Sequence, residues 1–276
     1  MDQYCVYGNP IEQSRSPFIH QMFAQDTDQP ISYTREYVEL GEFAKTVNHF
    51  IANGGKGANV TVPFKEEAMA LCHQLSNRAK LAGAVNTLSF IDGQIIGDNT
   101  DGIGLVADLL RNNVPISDSK ILLLGAGGAA KGVILPLLEQ APDSITIANR
   151  TVSKAKQLCV QFNNNILSYC SFESLGEQSF DLIINATSAS LSGSIPPISA
   201  KAISKDTICY DMVYGAELTP FLCWAKQNGA KQVFDGLGML VAQAAESFFI
   251  WRGVKPEVTE VLAAVRASIH LEVSDT

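Results

Sequence analysis

"KILLLGAGGAAKGVILPLL", residues 120–138, reads as a strand, a tight turn and a helix. Residues 120–124 are almost wholly apolar, as in a strand buried on both faces of a parallel sheet. Gly125, Gly127 and Gly128 follow in a G-x-G-G-x-A pattern, with Ala126 and Ala129 between them and Ala130 in the third small position. Such a turn brings the N–H groups of a helix start against an anion such as a pyrophosphate. A glycine pattern alone is weak, because a plain strand–helix turn also explains it. Placed directly between an apolar strand and a helix, it predicts a doubly wound dinucleotide-binding unit.

Downstream the alternation continues. "SITIAN", "DLIINAT", "TICYDMV" and "KQVFDG" read as strands, with "SKAKQLCVQF" and "PFLCWAKQNG" as helices. The second strand ends in "ANRT". A site for NAD carries an acid about 20 residues after the glycines, to hold the ribose hydroxyls. Here Asn149, Arg150 and Thr151 follow, then Lys154 one helical turn on, with no acid between Ser144 and Lys156. A 2′-phosphate suits that set and would be repelled by an acid, so NADP is favoured over NAD. The plain alternative leaves Arg150 and Lys154 as ordinary surface cations.

Upstream, residues 1–100 form a separate α/β pattern. "YCVYG", "SYTREYVEL" and "KGANVTV" read as strands, and "SPFIHQMFA", "GEFAKTVNHFIANG" and "PFKEEAMALCHQL" as helices. "AVNTLSFIDGQIIG" reads as a hairpin turning at Asp92-Gly93. A boundary near residues 97–102 separates the two patterns. Two long helical segments close the chain, and periodicity does not assign them to either half. In "NVTVPFKEEA", Lys65 stands where a helix begins, an end that disfavours a cation. An amine so placed suits proton exchange with a reacting oxygen; a solvated lysine paired with Glu66 or Glu67 is the alternative. Asp101 in "GDNTDGIG" is either a helix cap or that amine's partner.

Composition bounds the rest. The chain has 276 residues, enough for two domains, and 46% apolar residues. Its net charge of −8 argues against general nucleic-acid binding or adhesion to an anionic membrane. Six scattered cysteines without C-x-x-C spacing predict reduced thiols rather than zinc or redox chemistry, and four scattered histidines suggest no metal site. Neither a signal peptide nor a membrane span is apparent, so a cytoplasmic location is expected.

Several stretches together resemble the shikimate dehydrogenase family: "GNPIEQSRSPFIHQMFA", "GANVTVPFKEEA", "GAVNTL", "GDNTDGIG", "GAGGAAKG", "NRTVSK", "NATS", "YDMVYG" and "DGLGMLVAQAAESFFIWRG". The resemblance implies a substrate domain over residues 1–100, completed by 237–276, and a Rossmann-like NADP-binding domain over 101–236. It implies NADPH-dependent, reversible reduction of 3-dehydroshikimate to shikimate. Lys65 and Asp101 match the family's catalytic pair, and Asp101 also matches a substrate contact. Ser14 and Ser16 match the holders of the substrate carboxylate. Thr61, Asn86 and Gln243 match partners of the ring hydroxyls, and Tyr214 a further substrate contact. Gly125, Ala126, Gly127, Gly128, Ala129, Asn149, Arg150, Thr151, Lys154, Thr187, Met212 and Gly236 match cofactor contacts, with Met239 near the nicotinamide or in the core. Lys154, Ser190 and, within the first motif but outside the serines, Glu12, Gln13 and Arg15 depart from the pattern. Lys154 replaces a usual arginine, and Ser190 replaces a usual glycine, which puts that loop's backbone in question. A quinate/shikimate enzyme that also takes NAD, or a non-catalytic NADP-binding regulator, remains the alternative. A small-molecule substrate and a monomer or homodimer are expected.

Overall fold

The computed structural model describes residues 1–274. The chain divides into two compact α/β units. One comprises Met1–Gly104 with Leu240–Leu271, and the other is built on Leu105–Met239. Among the described residues no helix is long and apolar enough to cross a membrane.

In chain order the first unit contains β1 (Asp2–Gly8), α1 (Ser16–Asp26), β2 (Ile31–Tyr37), α2 (Phe43–Ala52), β3 (Gly55–Val60), α3 (Lys65–Leu71), β4 (Gln74–Leu75), α4 (Asn77–Ala82), β5 (Thr87–Ile91) and β6 (Gln94–Asp98). Its sheet is mixed, in the order β2-β1-β3-β5-β6-β4. β1 runs parallel to β2 and β3, while β3, β5 and β6 alternate in direction. The β5–β6 hairpin turns at Asp92 (φ 49°) and Gly93 (φ 74°), the two left-handed residues of a type I′ turn. Tyr7, Phe43, Val60, Phe64, Val85 and Leu88 anchor one core face.

Two details depart from the periodicity. α3 stops at Leu71, because Cys72 turns extended (φ −75°, ψ 134°) and residues 74–75 pair with β6. α4 lies in a stretch whose pattern had suggested no element. It is capped by the Ser76 hydroxyl, which accepts from the Ala79 N–H, and ended by left-handed Gly83.

The chain then passes through α5 (Asp101–Arg111) into β7 (Lys120–Leu124), α6 (Gly128–Leu138), β8 (Ser144–Ala148), α7 (Val152–Phe162), β9 (Leu167–Cys170), β10 (Leu182–Asn185), β11 (Ile208–Asp211), α8 (Pro220–Gln227) and β12 (Gln232–Asp235). All six strands are parallel, in the order β12-β11-β10-β7-β8-β9. The order reverses between β7 and β10, the crevice where open α/β sheets bind ligands. β7 is apolar throughout because alternate residues serve opposite faces. Ile121 and Leu123 pack with Val133, Ile134 and Leu137, whereas Leu122 and Leu124 pack with Ile183, Cys209 and Phe221. The periodicity had suggested no element at β9, a short edge strand of mixed polarity.

Two helices close the chain, α9 (Leu237–Arg252) and α10 (Thr259–Ser274). From Leu240 onward the chain, to Leu271, belongs to the first unit. There Trp251 stacks on Tyr4 with ring centroids 4.6 Å apart, and Phe248 packs against His20 and Phe23.

Candidate active site

In the first unit Lys65 is the first residue of α3. Phe64 precedes it without a side-chain cap, and Glu66 and Glu67 occupy the first turn. The cation at this unfavourable end is compensated by Asp101, the first residue of α5, whose Oδ2 lies 2.5 Å from Lys65 Nζ. The side chains remain 29% and 22% exposed, so water and small solutes reach them. Asp101 Oδ1 accepts from Asn86 Nδ2 at 2.8 Å, and the Asp101 N–H donates to Asn99 Oδ1. The carboxylate is therefore held from both sides and has little freedom to leave the amine.

Asn86 organises this arrangement. It is 2% exposed, and its Oδ1 accepts from the Thr100 N–H at 2.9 Å and the Thr87 hydroxyl at 2.8 Å. Its Nδ2 is 2.9 Å from Thr100 Oγ1 and 3.2 Å from Gln243 Oε1. An N–H donor on one side and a carboxylate on the other leave only one amide orientation.

The network continues inward. Asn59 Nδ2 donates to the Asn86 carbonyl (3.1 Å) and to Ser247 Oγ (3.0 Å), and Ser247 also meets Thr87 Oγ1 at 2.8 Å. Tyr33 donates its hydroxyl to Asn59 Oδ1 at 2.7 Å. Burial holds that phenol well above its usual range, offset only in part by a hydrogen bond with buried Ser16.

Lys65, Asp101, Asn86 and Gln243 thus meet directly, and Ser16 joins them through Tyr33 and Asn59. The Ser16 N–H lies 3.3 Å from Ser14 Oγ, and the Arg35 guanidinium donates twice to the Ser14 carbonyl, at 3.0 and 2.7 Å. Ser16 does not act as the cap of α1. That position falls to Arg15, and Pro17 lies just inside the helix. Thr61 follows β3 directly, its N–H bonded to the Tyr7 carbonyl. Sequence reasoning missed Tyr33, Asn59, Thr100 and Ser247. For Asn59 a signal existed, an amide in the otherwise apolar run "GANVTV".

The second unit carries a different kind of site. Gly125 has φ +107°, and a Cβ there would come 3.1 Å from Thr187 Cγ2 and 3.2 Å from the Ala186 carbonyl. Conformation and close approach both require glycine. Gly127 and Gly128 are exposed, as is Ala129, and a Cβ on either glycine would meet nothing within 4 Å. Above them lies open space at the start of α6, which has neither a side-chain cap nor an acid in its first turn. Those N–H groups suit a pyrophosphate. Ala126 is half-buried between the glycines.

Beyond β8, Asn149 shapes the next turn, its Nδ2 donating to the Thr151 carbonyl at 2.9 Å. Arg150, Thr151 and Lys154 are exposed there, and the first turn of α7 holds no acid. This cationic, acid-free corner fits a 2′-phosphate. Thr187 donates its hydroxyl and its N–H to Asn185 Oδ1, at 2.7 and 3.1 Å. The Met212 N–H bonds the Asn185 carbonyl at 3.0 Å. A Cβ on Gly236 would lie 2.1 Å from the Met212 carbonyl, so glycine is required for that approach. Tyr214 is half-buried two residues past Met212, and Met239 belongs to the core.

Comparison with known proteins finds matches along most of the chain. Residues 6–88 match the shikimate dehydrogenase substrate binding domain, residues 108–194 the shikimate / quinate 5-dehydrogenase family, and residues 236–266 the shikimate 5′-dehydrogenase C-terminal domain. The shikimate dehydrogenase (NADP(+)) of Colwellia psychrerythraea is 59% identical over 97% of this chain and 98% of its own. An Ael1 enzyme from Pseudomonas putida superposes with a TM-score of 0.93 at 43% identity, over 96% of this chain and 98% of its own. Shikimate 5-dehydrogenase from Thermus thermophilus, solved with NADP(H) and shikimate, gives a TM-score of 0.87 at 30% identity, over 97% of this chain and 99% of its own. The chain belongs to the shikimate dehydrogenase family.

Proposed function

We propose that this chain catalyses the reversible, NADP(H)-dependent interconversion of 3-dehydroshikimate and shikimate, a step of aromatic biosynthesis. The observation that carries the reading is the Lys65–Asp101 pair, 2.5 Å apart and braced by Asn86, in the unit that matches the substrate-binding family model.

The proposed division of labour assigns the substrate to residues 1–100 with 237–276, and the dinucleotide to residues 101–236. Ser14 and Ser16 hold the substrate carboxylate with hydroxyl donors, and Arg35 keeps their loop in place. Thr61, Asn86 and Gln243 offer directional partners to ring hydroxyls, with Tyr214 a further contact. Gly125 to Ala129 hold the pyrophosphate through the α6 N-terminus. Asn149, Arg150, Thr151 and Lys154 hold the 2′-phosphoribose, and Thr187, Met212 and Gly236 line the remainder.

NADPH, when bound, supplies the hydride that reduces the ketone carbon. Lys65 Nζ delivers a proton to the substrate oxygen, and in the reverse direction it accepts one. Asp101 Oδ2 keeps the amine aimed and compensates its charge. Because both side chains stay partly exposed, the amine regains its proton from solvent. Positioning and proton transfer together account for the rate.

A small-molecule substrate fits these sites. The cytoplasm is the compartment we propose, in keeping with six free cysteines. The deciding experiment is the absorbance of NADPH formed from shikimate and NADP+, run beside NAD+ and beside quinate. NADPH formation from shikimate supports the reading. Tight NADP+ binding without turnover would indicate a regulator, and equal rates with NAD+ would remove the cofactor preference.

A further inference from the structure

Strand β11 ends on a carboxylate with no exposed surface. Asp211 is 0% exposed, and four neutral donors converge on it. Asn185 Nδ2 and the Val213 N–H reach Oδ1, each at 3.1 Å. Ser190 Oγ and Thr219 Oγ1 reach Oδ2, each at 2.6 Å. A buried carboxylate left without its donors is costly, so it holds in place whatever donates to it.

These donors come from the last residue of β10, the short helical turn Ala189–Ser192, the turn after β11, and the residue that caps α8. Three of the four segments adjoin residues assigned above to the dinucleotide. Thr187 is bonded to the same Asn185 side chain, and its Oγ1 accepts from the Ala189 N–H at 3.3 Å. Met212 lies between Asp211 and Val213. The Gly236 N–H bonds the Val213 carbonyl at 3.2 Å.

Ser190 occupies the position where the resemblance led us to expect glycine. Its φ is not in the left-handed region, so the backbone accepts a side chain there. Its hydroxyl then does what a glycine cannot, bonding the Thr187 turn to the carboxylate.

We propose that Asp211 is a positioning residue for the dinucleotide site and that Ser190 is the clamp through which it fixes Thr187. Asp211 has no surface with which to touch the cofactor; it acts by holding the ends of β10 and β11 in register. The inference rests on the proposed function, since it presumes that this unit takes NADP(H).

The test is calorimetric titration of NADP+ into the full chain, as wild type, Ser190→Ala, Ser190→Thr and Asp211→Asn, with melting temperatures recorded without cofactor and the KM for each substrate measured. Ser190→Ala should weaken NADP+ roughly three- to tenfold, less than the full worth of a bond to a charged group, because Asn185, Thr219 and the Val213 N–H still hold the carboxylate. The KM for NADP+ should rise with it, while kcat and the KM for shikimate stay unchanged. Ser190→Thr, which keeps the hydroxyl, should restore binding, and Asp211→Asn should lose more than Ser190→Ala does. Should Asp211→Asn fail to fold, the two serine variants decide the matter. NADP+ binding at wild-type strength in Ser190→Ala overturns the inference whatever the melting temperature, as does equal weakening in Ser190→Thr. A wild-type chain that binds no NADP+ overturns the proposed function and the inference with it.

Discussion

The two candidate sites solve opposite problems. In the first unit, side chains meet one another before any ligand arrives: Lys65 pairs with Asp101, and Asn86 is engaged on both its oxygen and its nitrogen. In the second, the glycine turn presents backbone to open space: among the described residues, a Cβ at Gly127 or Gly128 would meet nothing within 4 Å. Moving a proton needs one group at one place, which takes a braced side chain. Gripping a diphosphate needs many modest donors and room, which backbone provides without side-chain entropy. Loss of function should therefore look different in the two halves.

Lys65→Ala gives the sharpest break. Turnover of shikimate should fall about a thousandfold, within the usual range for general acid–base catalysis, while calorimetric NADP+ binding is retained. Loss of cofactor binding together with turnover would erase the distinction between the sites.

Gly127→Val is the converse. Its φ of −89° admits a side chain, so the melting temperature without cofactor should hold. NADP+ should bind about a hundredfold more weakly, because the new methyls occupy the ligand's space. Normal NADP+ binding would mean the open space is not the cradle.

A third contrast is acid sensitivity, which resides in the first unit. His20 is buried among Tyr33, Phe23, Phe248 and Trp251, and that burial pushes it down to about 3 from 6.5. Below about pH 6.5 the unfolded chain takes up this proton while the folded chain does not, so stability is full above that pH and declines towards pH 3. Between pH 7 and 5 the loss should be about 2 kcal/mol, read from urea unfolding. His20→Phe should flatten the slope, whatever it does to the absolute stability; an unchanged slope would place the acid sensitivity elsewhere.

The smallest effects belong to the cationic corner of the second unit. Arg150→Ala should weaken NADP+ about tenfold and leave NAD+ binding as it was. Lys154→Arg should favour NADP+ by a smaller factor, since the guanidinium adds a fork that ammonium lacks. Equal changes for both dinucleotides would detach these residues from the 2′-phosphate.

What the sequence disclosed follows the same division. The glycine turn was legible because its requirement is local: an apolar strand, small residues and a helix in one stretch. The hairpin at Asp92-Gly93 was legible for the same reason. Lys65 drew notice as a cation at the wrong helix end, but its partner lies 36 residues away and no periodicity joins them. Ser247 and Asn59 are 188 residues apart and meet only through the fold, so nothing local could mark them. α4 and β9 escaped notice because each is six residues or shorter and lacks a clean apolar face. Asp211 carries a signal, an acid closing the otherwise apolar strand "ICYD", but its four donors lie on separate segments and no local pattern gathers them.

The first unit is closed by residues 240–271, which carry Gln243, Ser247, Phe248 and Trp251. During synthesis these emerge after the second unit. The first hundred residues must wait, with part of their core still unlined, until the whole second unit has emerged. That second unit is essentially continuous in the chain and can complete itself first, so the order in which the two halves mature is the reverse of the order in which they are begun. A premature stop near residue 240 would leave a finished second unit joined to a first that never closes.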